Sequence, residues 1–158
     1  MRPRDVSFGD FRCAHCRIIV SSAHLLSGVN NRNHCPYCLW SCHLDLFAAG
    51  DRLSACKVPM EPIGLTMKKS RNKYQREHLG ELMLIHECVQ CKSLSINRIA
   101  ADDDSATVMA VFQDSSRLDP QVHALCQGYG IMILQAADSQ IVYTQLYGRY
   151  AEVTAISW

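Results

Sequence analysis

The chain of 158 residues has no apolar run approaching the roughly 18 residues a membrane-spanning helix requires. Its first residues, MRPRDVSFGDFRC, carry two arginines but no apolar stretch behind them, so they do not read as a secretion signal. The expected location is cytoplasmic, with no membrane partner. Extremes of composition are lacking too: 48% of residues are hydrophobic and 20% charged, which excludes a disordered or collagen-like chain. No Cys-x-x-Cys pair is followed directly by histidine, so covalent haem attachment is excluded. No His-x-Glu stands upstream of Cys35-Pro36-Tyr37-Cys38, which removes the nucleobase-deaminase pattern.

Cysteine is what the chain has in excess. Eight of its nine cysteines lie in the first hundred residues. Glutathione and thioredoxin keep cytosolic thiols reduced, so metal binding, not disulfide formation, is the expected use. Charge is divided as unevenly. Residues 1–100 hold fourteen Lys and Arg against eight acids, and residues 101–158 hold two against seven.

Little of the first hundred residues shows sustained helical or strand periodicity, and such a segment does not easily bury a core without help. GVNNRN (28–33) and VPMEPIG (58–64) read as turns, and KKSRNKYQR (68–76) as a basic loop. Leu82 to His86 reads as a strand running into a cysteine turn, with LSINRIA as the returning strand. Beyond the acidic break Asp102, Asp103 and Asp104, ATVMAVF (106–112) reads as a buried strand. DPQVHALCQGYG reads as a helix capped by Asp119 with Pro120 at its first position. GIMILQ, QIVYTQLY and YAEVTAISW read as further strands. The expected fold is α+β: a small zinc-stabilised module with short β-hairpins over residues 1–104, then a compact α+β extension over 105–158, without a chemical motif, packed on it.

Three pairs carry the chemistry: Cys13 with Cys16, Cys35 with Cys38, and Cys88 with Cys91. A two-residue gap lets a tight turn place both sulfurs on one side, where backbone amides donate to them. Two such turns complete a tetrahedron. The first two pairs read C-x2-C-x18-C-x2-C, a four-cysteine zinc spacing. The third pair needs two more ligands. Cys56 is the natural third and His43 the favoured fourth, with His86, His34 and Cys42 as rivals; His86 alternates onto the same side of a strand as Cys88. The expected complement is two zinc ions per chain, and spacing alone leaves open whether the pairs join sequentially or interleave. Cys42 otherwise reads as a buried small hydrophobe, Cys126 as a core thiol, and Trp40 as core.

FRCAHC (11–16), NRNHCPYCLWSCHLD (31–45), GDRLSAC (50–56), MEPIG (60–64), GELMLIHECVQC (80–91) and NRIAADD (97–103) together resemble the bacterial RNHCP family, named for the string at Arg32 to Pro36. The resemblance covers about residues 8–104. It implies a cysteine-rich, zinc-binding module of uncharacterised activity, with Cys13, Cys16, Cys35, Cys38, Cys56, Cys88 and Cys91 as working ligands. The family tends to have glycine after the second cysteine of a pair, where this chain has Arg17 and Lys92. A left-handed backbone there costs a non-glycine residue about 1 kcal/mol.

Closed zinc sites of this kind are structural, so no catalytic residue and no small-molecule substrate are expected. The surface decides what remains. Lys68, Lys69, Arg71, Lys73 and Arg76 lie within nine residues around Tyr74, a grouping that holds phosphates and stacks on a base. The favoured function is a ribbon-like zinc module that binds RNA or a ribonucleoprotein, such as the ribosome. The alternative is a protein-interaction adaptor working through the acidic tail. A third, thiol–disulfide exchange at Cys35 and Cys38, is disfavoured because the polar SGVNNRNH precedes the pair instead of a buried strand. Arg32 and Arg98 read either as RNA contacts or, the favoured reading, as clamps on carboxylates such as Asp45, Asp102 or Asp103.

Overall fold

The computed structural model describes residues 10–21, 23–28, 32, 34–42, 58–68 and 80–148. Its first part is a ribbon: β1 (Phe11–Arg12) and β2 (Ile19–Val20) pair antiparallel, Phe11 opposite Val20, on either side of the Cys13–Cys16 turn. A single helical turn, α1 (His24–Ser27), follows. The body is an antiparallel sheet in sequential order: β3 (Ser41–Cys42), β4 (Pro59–Lys68), β5 (Glu81–Cys88) and β6 (Leu94–Arg98). Helices α2 (Ser105–Asp114), α3 (Pro120–Gly128) and α4 (Ser139–Tyr147) complete the described chain, with 3-10 turns at Ser115–Arg117 and Ala136–Asp138. The class is α+β, as the sequence led us to expect.

β5 holds the body together because it is covered on both faces, which is why its sequence, LMLI, is a continuous apolar run instead of an alternating one. Leu82 and Leu84 pack with Leu65, Val108, Met109, Phe112, Leu134 and Val142 on one face. Ile85 packs with Ile63, Leu94, Cys126 and Ile133 on the other. Cys126 is thus the core thiol it was read to be. The first cluster spans residue 104 without a break, and it also takes in Leu39 from the second cysteine turn.

Several local expectations are overturned. VPMEPIG is mostly strand, not turn: Pro59 opens β4, and a register shift between Pro62 and Gly64 accommodates the second proline where β3 has already ended. Gly64 lies closely packed here, and a Cβ would just come into van der Waals contact with Ile133 Cγ2 and Ser115 Cβ at 3.4 Å. ATVMAVF is helix. Asp104 caps it by accepting from the Thr107 amide at 3.0 Å and from the Thr107 hydroxyl, and Val108, Met109 and Phe112 form its buried side. QIVYTQLY is also helix, with Val142 buried and Leu146 packed one turn on. GIMILQ is not a strand, although the Leu134 amide donates to the Leu65 carbonyl at 2.8 Å. The described part of the extension therefore carries helices instead of strands, and YAEVTAISW lies outside the described residues beyond Gly148. The helix at 120–128 forms as read, with Asp119 accepting from the Gln121 amide at 2.8 Å.

Candidate metal centre

The three Cys-x-x-Cys turns share one backbone design. In each, the first cysteine's amide donates to the carbonyl five residues on: Cys13 to Ile18 at 2.8 Å, Cys35 to Trp40 at 2.9 Å, Cys88 to Ser93 at 2.9 Å. The amide four residues on donates back: Arg17 to Cys13 at 2.9 Å, Leu39 to Cys35 at 2.8 Å, Lys92 to Cys88 at 3.1 Å. Closing the turn requires a left-handed residue after the second cysteine, and φ is +70° at Arg17, +65° at Leu39 and +63° at Lys92. The glycine-free positions thus keep the glycine conformation. An amide also reaches the first sulfur of each turn, from Cys16 to Cys13 Sγ at 3.4 Å, Tyr37 to Cys35 Sγ at 3.4 Å and Cys91 to Cys88 Sγ at 3.5 Å.

The first two turns face each other. Cys13 Sγ lies 3.4 Å from Cys38 Sγ and Cys16 Sγ 3.5 Å from Cys35 Sγ, and all four sulfurs fall within 4.8 Å of one another. Those separations are far beyond the ~2.05 Å of a disulfide. They approach the ~3.8 Å edge of a tetrahedron built on zinc–sulfur bonds of about 2.3 Å. Among the described residues, the first and second pairs come together in sequential order. Burial pushes the Cys35 and Cys38 thiols above the ordinary value, against the amides that donate to them. At Cys13 burial also opposes ionisation, but amide donors from Cys16 and His15 and the neighbouring thiols carry its pKa below the ordinary value. A group of four sulfurs, two buried and two half-buried, with amide donors suits a thiophilic dication, and this cluster can bind zinc.

The third turn is placed differently. Cys88 ends β5 and is buried, while Cys91 is exposed and its thiol donates to Ser93 Oγ at 3.1 Å. The favoured partners His43 and Cys56 lie outside the described residues. Cys42 is half-buried on β3, opposite Pro59. The histidine rivals are spent elsewhere. His86, fully buried, donates from Nε2 to the Leu39 carbonyl at 2.7 Å and accepts at Nδ1 from the Asn97 side-chain amide at 2.8 Å. Burial, with the nearby His34 ring, holds its pKa down at about 3, so the ring is neutral. His34 Nε2 donates to Asp103 Oδ2 at 2.7 Å.

Asp103 is the centre of a buried polar knot. Besides His34, it accepts from the Ala100 amide at 2.8 Å and from Arg32 Nη2 at 3.3 Å, and neither the Arg32 nor the Asp103 side chain is exposed to solvent. Arg32 also reaches Asp102 Oδ2 at 2.8 Å and the carbonyls of His34 at 3.1 Å and Ser21 at 3.3 Å. The clamp expected of Arg32 is therefore present, whereas Arg98 pairs with Glu81 at 2.6 Å, an acid not among those considered for it. Trp40 is half-buried rather than core, stacked on the exposed His15 ring with centroids 4.2 Å apart and planes 2° from parallel. Of the basic group, Lys68 ends β4, exposed and opposite Glu81; Lys69, Arg71, Lys73, Tyr74 and Arg76 lie outside the described residues.

The roles of Leu39, His86 and Asp103 in holding the second turn were not read from sequence. Their only signal was position: Leu39 directly follows a ligand, and Asp103 ends the last of the six strings. Comparison with curated proteins and with solved structures finds no match. A family model does match, that of the RNHCP domain over residues 8–109, more than half of the chain. The span takes in all three cysteine turns and both ends of the Arg32–Asp103 knot, and the chain belongs to the RNHCP domain family.

Proposed function

We propose that the chain is a non-catalytic zinc module that binds RNA or a ribonucleoprotein, the ribosome being the obvious instance, through the basic segment 68–76. The observation that carries the non-catalytic part is the closed set of four sulfurs at Cys13, Cys16, Cys35 and Cys38, which leaves no coordination position for an activated water. The RNA part is supported by the sequence between β4 and β5, which concentrates Lys69, Arg71, Lys73 and Arg76 around Tyr74 directly after the exposed Lys68. A second zinc at Cys88 and Cys91, completed by Cys56 and His43, is part of the proposal. Its support is that the third turn has the same amide, carbonyl and left-handed geometry as the two turns that form the first cluster.

Native mass spectrometry of freshly purified protein tests the metal count: two zinc ions are expected, and a single ion would remove the site at Cys88 and Cys91. Binding to structured RNA or ribosomes is expected to weaken steeply with salt. Replacing Lys68, Lys69, Arg71, Lys73 and Arg76 by glutamine should flatten the slope of log affinity on log salt, by about one per phosphate contact removed. Salt-insensitive capture of a protein partner that survives those substitutions would replace the RNA reading with the adaptor one.

A further inference from the structure

The two turns of the four-cysteine cluster are anchored unequally. The Cys35–Cys38 turn is tied to the body at each of its ends. Before it, His34 gives its Nε2–H to Asp103, and the His34 carbonyl accepts from Arg32. Within it, the Pro36 carbonyl accepts from the Asp104 amide at 2.9 Å, at the start of α2. After it, the Leu39 carbonyl accepts from His86 of β5, and the Leu39 side chain is fully buried in the main core with Leu65, Leu84, Val108 and Phe112. The Cys13–Cys16 turn stands on a ribbon of two residue pairs, and its left-handed residue, Arg17, is exposed. It meets the second turn through the four sulfurs, the small cluster of Cys13, Val20 and Cys35, and the His15–Trp40 stack. Just beyond β2, the Ser21 carbonyl accepts from Arg32 at 3.3 Å, a tie to the knot.

We infer that Cys35 and Cys38 form a half-site that stays folded without metal, with Asp103 and His86 as its positioning residues, and that zinc draws the Cys13–Cys16 ribbon onto it as a clasp. The inference rests on the reading of the four sulfurs as a zinc site. A ribbon this short does not bury enough apolar surface to hold itself in place. The second turn needs no metal to keep its shape, because its hydrogen bonds run to β5, to the Arg32–Asp103 knot and to the start of α2, and its leucine belongs to the main core. Metal occupancy then decides whether one end of the molecule is open or closed.

The test is amide hydrogen exchange by mass spectrometry on the full chain, reduced, with zinc bound and after removal by a chelator. On zinc removal, exchange over residues 11–20 is expected to accelerate by more than about tenfold, while residues 34–42 and the β5–β6 hairpin change by less than about threefold. Equal acceleration in both turns, or in neither, overturns the inference and leaves the zinc reading standing. A protein that takes up no zinc overturns both. The positioning role is read by competition with a chromophoric chelator. Asp103→Asn and His86→Gln should each weaken zinc binding by about 10–100-fold with exchange in β5 unchanged, as for residues that orient a metal ligand. Glu81→Gln, which breaks the exposed pair with Arg98, should leave affinity unaltered. Unchanged affinity in both positioning variants would refute their role, and because the exchange comparison uses the natural sequence, it decides the half-site even if Asp103→Asn fails to fold.

Discussion

The second and third cysteine turns have nearly the same backbone and opposite surroundings. At the second, the residue forced into the left-handed region is Leu39, whose side chain fills the core; at the third it is Lys92, which is exposed. The first turn, with Arg17, resembles the third in this respect. The turn geometry is thus indifferent to the side chain it strains. What differs is what the strain is set against: burying a leucine contributes about 2–3 kcal/mol, enough to offset a left-handed penalty of about 1 kcal/mol, whereas an exposed Arg or Lys offers no comparable return.

Substitutions can break this comparison at graded strength. Cys13→Ser and Cys35→Ser should each remove one zinc from the chain, by native mass spectrometry, since either leaves three sulfurs at the cluster. Asp103→Ala, which strands the buried Arg32 guanidinium, should lower stability in urea by about 3–5 kcal/mol. Asp102→Ala, at the partly exposed end of the same guanidinium, should cost no more than about 1 kcal/mol.

Acid should act through His86. The unfolded chain protonates this imidazole near its ordinary value of 6.5 and the folded chain only at about 3, so between those limits the unfolded state holds the extra proton. Stability is therefore expected to fall as pH drops through that window, by up to ~1.4 kcal/mol per pH unit from this group. Urea titrations across that range on the wild type and His86→Gln should show a shallower dependence in the variant.

The finest contrast uses glycine at the three left-handed positions. Leu39→Gly should destabilise by about 2–4 kcal/mol, because the lost core packing exceeds the relieved strain. Arg17→Gly and Lys92→Gly should instead stabilise by up to about 1 kcal/mol in the same urea titration. Three variants of one sign would mean that the turns are held alike.

The cysteine spacing carried most of what was legible. C-x2-C-x18-C-x2-C named the four sulfurs that come together, because a metal site restricts sequence at the ligands themselves. Strand β5 was legible for a similar reason, as its buried stretch Leu82–Ile85 is apolar throughout, and β6, which is only half-buried, was legible as its return after the cysteine turn. The helices α2 and α4 were not. ATVMAVF and QIVYTQLY are short and rich in β-branched residues, and over seven or eight positions a helical face and a buried strand place apolar residues alike. Asp104 as a cap was the clue that separates them. Asp103 was legible as one carboxylate for Arg32, but its bond to His34, 69 residues away, was not, since no local pattern reports such a contact.

That separation also bears on how the molecule comes into being. A chain made from its N-terminus has Cys13, Cys16, Cys35 and Cys38 in hand 65 residues before Asp103 is added, from the difference between positions 103 and 38. During synthesis all four thiols are therefore present while the knot that steadies one pair of them does not yet exist. Zinc captured at that stage would be held by an unsupported chelate. On the half-site proposal, the lasting affinity of the site would be set only when Asp103 joins and closes a loop about four times longer than the one between Cys16 and Cys35.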